Sequence, residues 1–473
     1  MAKAPALLKK STAPSTLRSE QDLRTLESQY CSYGDTVHYT EHPPFFSNCE
    51  GSYLYNDAGT PFLDLQMWYS AVNFGYKNPR LNEAAHRQLD TLPQVASQYL
   101  HREKVELASL IAQDAQKKWG VKGRVHFNVG GSQAVEDSLK LVRNYTGGKS
   151  LMFAFEGGYH GRTLGASAIT SSYRYRRRYG HFGERAQFIE FPYHFRGPKG
   201  MSKEEYGHHC VQKFARLFES EYNGVWDPKT NKCEYAAFYV EPIQGTGGYV
   251  IPPKNFFTEL KKVLDQHGIL LVVDEIQMGV YRTGKLWSIE HFGVTPDVLI
   301  FGKAITNGLN PLSGIWAKED MINPTVFPPG STHSTFASNP MGTAVALETL
   351  RMVEEENFAA SVADKGSHFL DGIQALKKRH KIIGDVDGLG LALRIEVCKD
   401  DGFTPDKATM DWIADEGMKG DLVVDGKKYG LVLDVGGYYK NVITLAPPLT
   451  ISKAEIDLAL TLLDQLFTRA GKR

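Results

Sequence analysis

Apolar residues in the middle of the chain follow two rhythms. Short unbroken runs at 125–128, 151–155, 236–240, 269–273 and 297–301 have the length and continuity of strands buried on both faces. Between them the spacing turns helical. Residues 132–145 and 255–266 predict helices; in the second, Phe256, Leu260, Val263 and Leu264 share one stripe, Pro252 and Pro253 stand just upstream, and Gly268 follows. Strands and helices in alternation predict an α/β fold with a mostly parallel central sheet. Residues 192–234 are charged, with helical spacing only at 204–219. They are expected to form a surface insertion, with the His-His-Cys run at 208–210 exposed and inert.

The two ends read differently. Short strands at 51–55, 391–397 and 441–445, mixed with helices, predict a small α+β domain to which both termini contribute. The expected division is a flexible N-terminal arm at 1–25, an N-terminal part of the small domain at 26–70, a large domain at 71–343 and a C-terminal part of the small domain at 344–473. The first residues are basic and rich in Ser and Thr, with no acid before Glu20, which leaves an organelle presequence open. Their prolines favour a disordered arm.

Composition removes several classes of function. The 473 residues carry 54 Lys and Arg against 54 Asp and Glu, so no net field recruits nucleic acid. No apolar run reaches bilayer length, and no membrane partner is expected. Cys31, Cys49, Cys210, Cys233 and Cys398 are odd in number and widely spaced, without a CxxC. Neither a disulfide framework nor a metal site is expected, and a reducing, cytoplasmic location fits.

The chemistry begins with LLVVDEIQMG, which places Asp274 at the carboxyl end of one buried strand, and FGKAITNG, which places Lys303 after the next. Open parallel sheets bind ligands at that edge. A carboxylate and an amine on neighbouring strand tips suit pyridoxal phosphate, whose aldehyde is stored as an imine with lysine and whose ring nitrogen is held protonated by an acid. An ATPase is the rival reading, because GVYRTGKL at 279–286 imitates a phosphate loop. It fails because Leu286 stands where Ser or Thr would hold magnesium, and because the acidic strand precedes the loop. Upstream, Gly131 and Ser132 open a helix whose free amides suit a phosphate, although Gly-Ser also serves as a plain cap. In FEGGYHGRTLGA, Tyr159 offers an aromatic face to a ring and Arg162 a planar fork for a carboxylate.

Together these residues resemble the class III aminotransferases, pyridoxal phosphate enzymes of fold type I, across nearly the whole chain after about residue 30. The most specific stretch runs from DEIQMGVYRTGKLWSIEHFGVTPD through FGKAITNGLNPLSG, with further landmarks in EPIQG at 241–245, GSTHSTFASNP at 330–340 and APPL at 446–449. The resemblance implies catalytic roles for Lys303 and Asp274. It implies a hydrogen bond from Gln277 to the cofactor's phenolic oxygen, stacking by Tyr159, and a phosphate seat from Gly131 and Ser132. Thr335 would reach the phosphate of a neighbouring subunit, making the functional unit a homodimer or a higher homo-oligomer. Tyr39, Tyr69, Arg162 and Ser334 fall at substrate-binding positions, as in ornithine and 4-aminobutyrate aminotransferases.

Two departures stand out. Where such enzymes carry an arginine before APPL and a glutamate after EPIQG, this chain has Thr444 and Thr246. Arg394 is a candidate replacement for the lost carboxylate ligand, with a structural ion pair as its alternative. The implied reaction moves an amino group from an ω-amino acid, diamine or other amine to a 2-oxo acid, pyruvate-like or 2-oxoglutarate, in a ping-pong cycle. A racemase or epimerase of the same family is the alternative, and a catalytically silent binding homologue a remote one.

Overall fold

The computed structural model describes residues 18–34, 40, 43–176, 179 and 186–473. Its centre is a seven-stranded sheet formed by β1 (Gly123–Asn128), β2 (Leu151–Phe155), β3 (Ala186–Ile189), β4 (Tyr235–Val240), β5 (Leu270–Asp274), β6 (Val298–Phe301) and β7 (Ser313–Lys318). The order is β1-β7-β6-β5-β4-β2-β3. Neighbours from β6 through β5, β4 and β2 to β3 are parallel, while β7 runs antiparallel to both β6 and β1. The mostly parallel sheet expected from the apolar runs is therefore present.

Those runs are continuous because both faces of the sheet are covered. Leu271 and Val273 of β5 join one core cluster while Val272 joins another, and β6 splits likewise into Leu299 and Phe301 against Val298 and Ile300. Alternate side chains leave a strand on opposite faces, so each must meet its own apolar layer. One layer includes the helix Phe256–Gln266 and the other the helix Gly131–Tyr145. Every strand of the parallel set ends at one edge, and Asn128, Phe155, Val240, Asp274 and Phe301 mark it.

Both ends of the chain meet in a five-stranded sheet. Phe46–Glu50, Tyr53–Asn56 and Pro61–Asp64 continue into Lys427–Val432 and Leu422–Val424, with Gly430 opposite Phe62 in a parallel pairing. A four-stranded antiparallel sheet contains Ile383–Leu389, Ala392–Val397, Val442–Leu445 and Asp434–Gly436. The hairpin joining its last two strands reaches back to the edge of the large sheet.

Three expectations need correction. Residues 20–25, assigned to a flexible arm, belong to the helix Glu20–Tyr30, because Ser19 and Asp22 close a capping box at its start. The boundary expected at 343 falls inside the helix Pro340–Glu355, which packs on Pro79–Thr91 and Arg102–Trp119 of the large domain. Within the supposed insertion, the helix Lys203–Ala215 buries Tyr206, Cys210, Val211 and Phe214. Phe214 meets Phe153 edge to face at 5.1 Å, so this helix belongs to the core and Cys210 is buried. His208 is exposed, with Nδ1 2.8 Å from Glu259.

The loop after β5 is fixed by a buried acid. Glu275 accepts bonds from Ser288 Oγ and the Ile289 amide, both at 2.7 Å, and burial pushes its carboxyl up to about 7. An acid whose folded pKa is raised stabilises the fold below its ordinary value of 4.5 and loses that contribution as pH rises towards 7. Glu275→Gln should therefore flatten the pH dependence of thermal stability in that window, by at most about 1.4 kcal/mol per pH unit. An unchanged slope in thermal melts of the variant would contradict the assignment.

Candidate active site

The carboxyl edge of the sheet opens into a cavity of about 290 Å³ lined by Lys303, Gln277, Tyr159, Thr246, Asp434 and Lys440, with Tyr69, Arg162 and Tyr175 completing the wall. Asp274 and Lys303 arrive from adjacent strands. Asp274 is the last residue of β5 and pairs in register with Ile300, and β6 ends at Phe301, two residues before Lys303. Lys303 has φ 44°, a conformation uncommon for a side-chain-bearing residue. Gly302 precedes it closely packed, since a Cβ there would lie 3.2 Å from Ser313.

Desolvation pulls the Lys303 amine below its ordinary pKa, opposed by the fields of Asp274, Glu241 and Asp434. A larger neutral fraction suits an amine that must act as nucleophile and base. Asp274 is 5 % exposed, and its two oxygens are already oriented. The Ile276 amide donates to Oδ1 at 3.1 Å and His160 Nδ1 donates to Oδ2 at 2.9 Å. Burial works against the His160 imidazolium, but the Asp274 hydrogen bond and charge prevail and raise its pKa. Glu241 completes this buried group. It accepts from the Tyr159 amide at 2.8 Å and the Gly245 amide at 2.9 Å, and burial pushes its carboxyl up to about 7.

Around the cavity, Gln277 Nε2 donates to Tyr249 Oη at 3.2 Å, and that hydroxyl lies 3.3 Å from Ser70 Oγ. Tyr159 meets Tyr175 edge to face at 5.2 Å, and the Arg162 guanidinium lies 4.8 Å from the Tyr175 ring centre. The helix Gly131–Tyr145 has no side-chain cap at its start, which leaves the amide end open to an anion. Ser132 Oγ accepts from the Arg162 amide at 3.2 Å, tying the helix start to the Tyr159 loop. A Cβ at Gly131 would come within 2.8 Å of the tip of the Ile276 side chain, so the helix start packs closely on the loop after β5.

Several candidates are not brought together in one chain. Ser334, partly buried, and Thr335, exposed, do not line the cavity. Tyr39 lies outside the described residues. Arg394 is a correction: its guanidinium bonds Glu396 and Tyr193 and lies 3.8 Å from Asp385. It borders a separate cavity of about 420 Å³. The cause is sheet register, since Arg394 and Glu396 are two apart in one strand and share its face, where they pair with each other.

Sequence reading missed His160, Glu241, Tyr249, Asp434 and Lys440 as site residues. His160 carried a signal, being next to Tyr159 on a loop after a strand. Asp434 and Lys440 carried none.

The residues fit pyridoxal phosphate: a desolvated amine, a carboxylate held by a buried imidazole, an aromatic wall and an uncapped helix start gather at one sheet edge. Such a site on this sheet defines a fold type I pyridoxal phosphate enzyme. Residues 36–467 match the family Aminotransferase class-III, and the chain belongs to that family. It is 33% identical over 426 residues to the alanine/serine racemase of Pyrococcus horikoshii, covering 89% of this chain and 85% of the relative. It is 32% identical over 421 residues to a probable 4-aminobutyrate aminotransferase of Bacillus subtilis, covering 88% and 91%. A solved amine transaminase from an uncultivated Pseudomonas species, in its pyridoxal phosphate-bound form, superposes with a TM-score of 0.81 at 26% identity, covering 92% of this chain and 97% of that one. The protein is a pyridoxal phosphate-dependent aminotransferase. No helix of the described residues is long and apolar enough to cross a membrane.

His160→Ala removes the hydrogen bond that orients Asp274 Oδ2. Cofactor release measured by dialysis and fluorescence should show roughly tenfold to hundredfold weaker retention. Retention equal to wild type would mean that Asp274 does not rely on His160.

Proposed function

We propose that the chain transfers an amino group from an ω-amino acid, diamine or other amine to a 2-oxo acid, taking each substrate in turn in the Lys303 cavity. The observation that carries this is the position of Lys303 and Arg162 on the wall of one cavity: a desolvated amine for the chemistry and a guanidinium for a distant carboxylate. The bound cofactor supplies a protonated, electron-withdrawing ring that stabilises negative charge on the substrate carbon.

Lys303 Nζ is the base that accepts and returns the proton at that carbon. Asp274, oriented by His160 and the Ile276 amide, would hold the ring nitrogen. Gln277, set by Tyr249, would hold the ring's oxygen substituent, and Tyr159 would supply an aromatic face to the ring. Gly131 and Ser132 present the open helix start to the phosphate. Arg162 and Tyr69 receive the substrate.

The working unit is a homodimer in a reducing, cytoplasmic setting. Thr335 and Phe336 are exposed on the single chain, Phe336 by 69%, as is Leu100 by 82%, which supports a partner surface. All five cysteines are free thiols.

Holoenzyme mixed with 4-aminobutyrate, a diamine or an aromatic amine should lose the visible band of its bound cofactor and recover it when pyruvate or 2-oxoglutarate is added. Turnover per chain should fall on dilution below the dimer dissociation constant. Failure of every donor to change the band would refute transamination, and deuterium uptake at Cα without net transfer would indicate racemisation instead. Concentration-independent turnover by a monomer would refute the shared site.

A further inference from the structure

Thr246 leaves part of the cavity wall uncharged, and Thr444 lies buried behind it, yet that wall is not electrically silent. The hairpin joining Asp434–Gly436 to Val442–Leu445 places an acid and a base on it, Asp434 and Lys440. Asp434 faces Thr444 across the hairpin, and its carboxylate accepts from Thr444 Oγ1 at 2.6 Å and from Gln66 Nε2 at 3.4 Å. Lys440 and Lys303 act on it through their fields, opposing the upward pull of burial on its carboxyl.

The hairpin is not a loose loop. Tyr438 Oη donates to the Glu156 carbonyl at 2.7 Å and lies 3.0 Å from Gln244 Oε1, and the Gly437 amide donates to the Thr246 carbonyl at 3.0 Å. Gly157 accommodates the Tyr438 ring, because a Cβ there would come within 2.0 Å of it. These bonds pin the hairpin turn to the large domain and hold Lys440 at the cavity. Lys440 itself has φ 55°, a left-handed conformation in which Gly or Asn would be the easier residue.

A cavity that takes a cationic amine and an anionic oxo acid in turn faces an electrostatic conflict. A cation that attracts the acid repels the ammonium, unless a counter-charge lies within reach. We propose that Lys440 binds the carboxylate of the 2-oxo-acid substrate, and that Asp434 neutralises Lys440 while the amine donor occupies the cavity. This rests on the transamination reading above and names the residues that let one site accept both partners. Asp434 also gives Thr444 a role, as its hydrogen-bond donor.

The test separates the pair from the overall reaction. Propionate, which carries the carboxylate without the oxo group, is titrated into holoenzyme by calorimetry, and the donor and acceptor half-reactions are measured separately. Lys440→Met should weaken propionate binding roughly tenfold to hundredfold and raise the acceptor's half-saturation at least about tenfold more than the donor's. Lys440→Arg should restore most of the loss, and Asp434→Asn should shift the acceptor-to-donor ratio the opposite way. Equal propionate affinity in wild type and Lys440→Met, or equal effects on both half-reactions, would overturn the proposal. Absence of amine transfer by wild type would instead refute the transamination reading, while the propionate titration would still report on Lys440.

Discussion

One lysine held out of bulk water among three carboxylates is the constraint on which the sheet edge depends. Lys303 feels the fields of Asp274, Glu241 and Asp434 at once, and desolvation outweighs them and lowers its pKa. Leaving any of those acids unpaired in a dry cavity would be costly. Their partners account for much of the surrounding architecture: His160 and the Ile276 amide for Asp274, the Tyr159 and Gly245 amides for Glu241, and Thr444 with Gln66 for Asp434. The loops after β2, β4 and β5 and the hairpin near the C-terminus are thus joined through the charges that they satisfy.

A second buried cation joins the chain's distant segments. Arg282 bonds the Leu391 carbonyl at 3.1 Å, the Pro447 carbonyl at 2.6 Å and Asn73 Oδ1 at 2.5 Å, and burial lowers its pKa to about 10. This arginine lies in the loop that imitates a phosphate-binding motif. Its side chain instead binds carbonyl oxygens from the small domain and a side chain from the N-terminal segment. The local pattern was right about glycine and turn, and wrong about what the loop holds.

What could be read in advance follows from how local each signal is. β5 and β6 were legible because burial on both faces writes a continuous apolar run, and with them came Asp274 and Lys303 at neighbouring tips. The helix at 203–215 was misjudged because its polar residues hide a four-residue apolar face that only the aromatic cluster around Phe153 explains. For Arg394 the sequence left a substrate carboxylate and an ion pair both open, because nothing local showed that it and Glu396 would both face Tyr193. Asp434 and Lys440 were invisible for a deeper reason. Their meaning comes from a hairpin pinned by Tyr438 onto a loop nearly three hundred residues earlier, a contact no periodicity announces.

The central claim is that the amine at the tip of β6 is where the cofactor is anchored. Holoenzyme reduced with borohydride, digested and analysed by mass spectrometry tests this directly. The expected result is a single modified peptide with the cofactor's mass on Lys303. A label on another lysine, or cofactor lost wholly as free ligand after reduction, would contradict it.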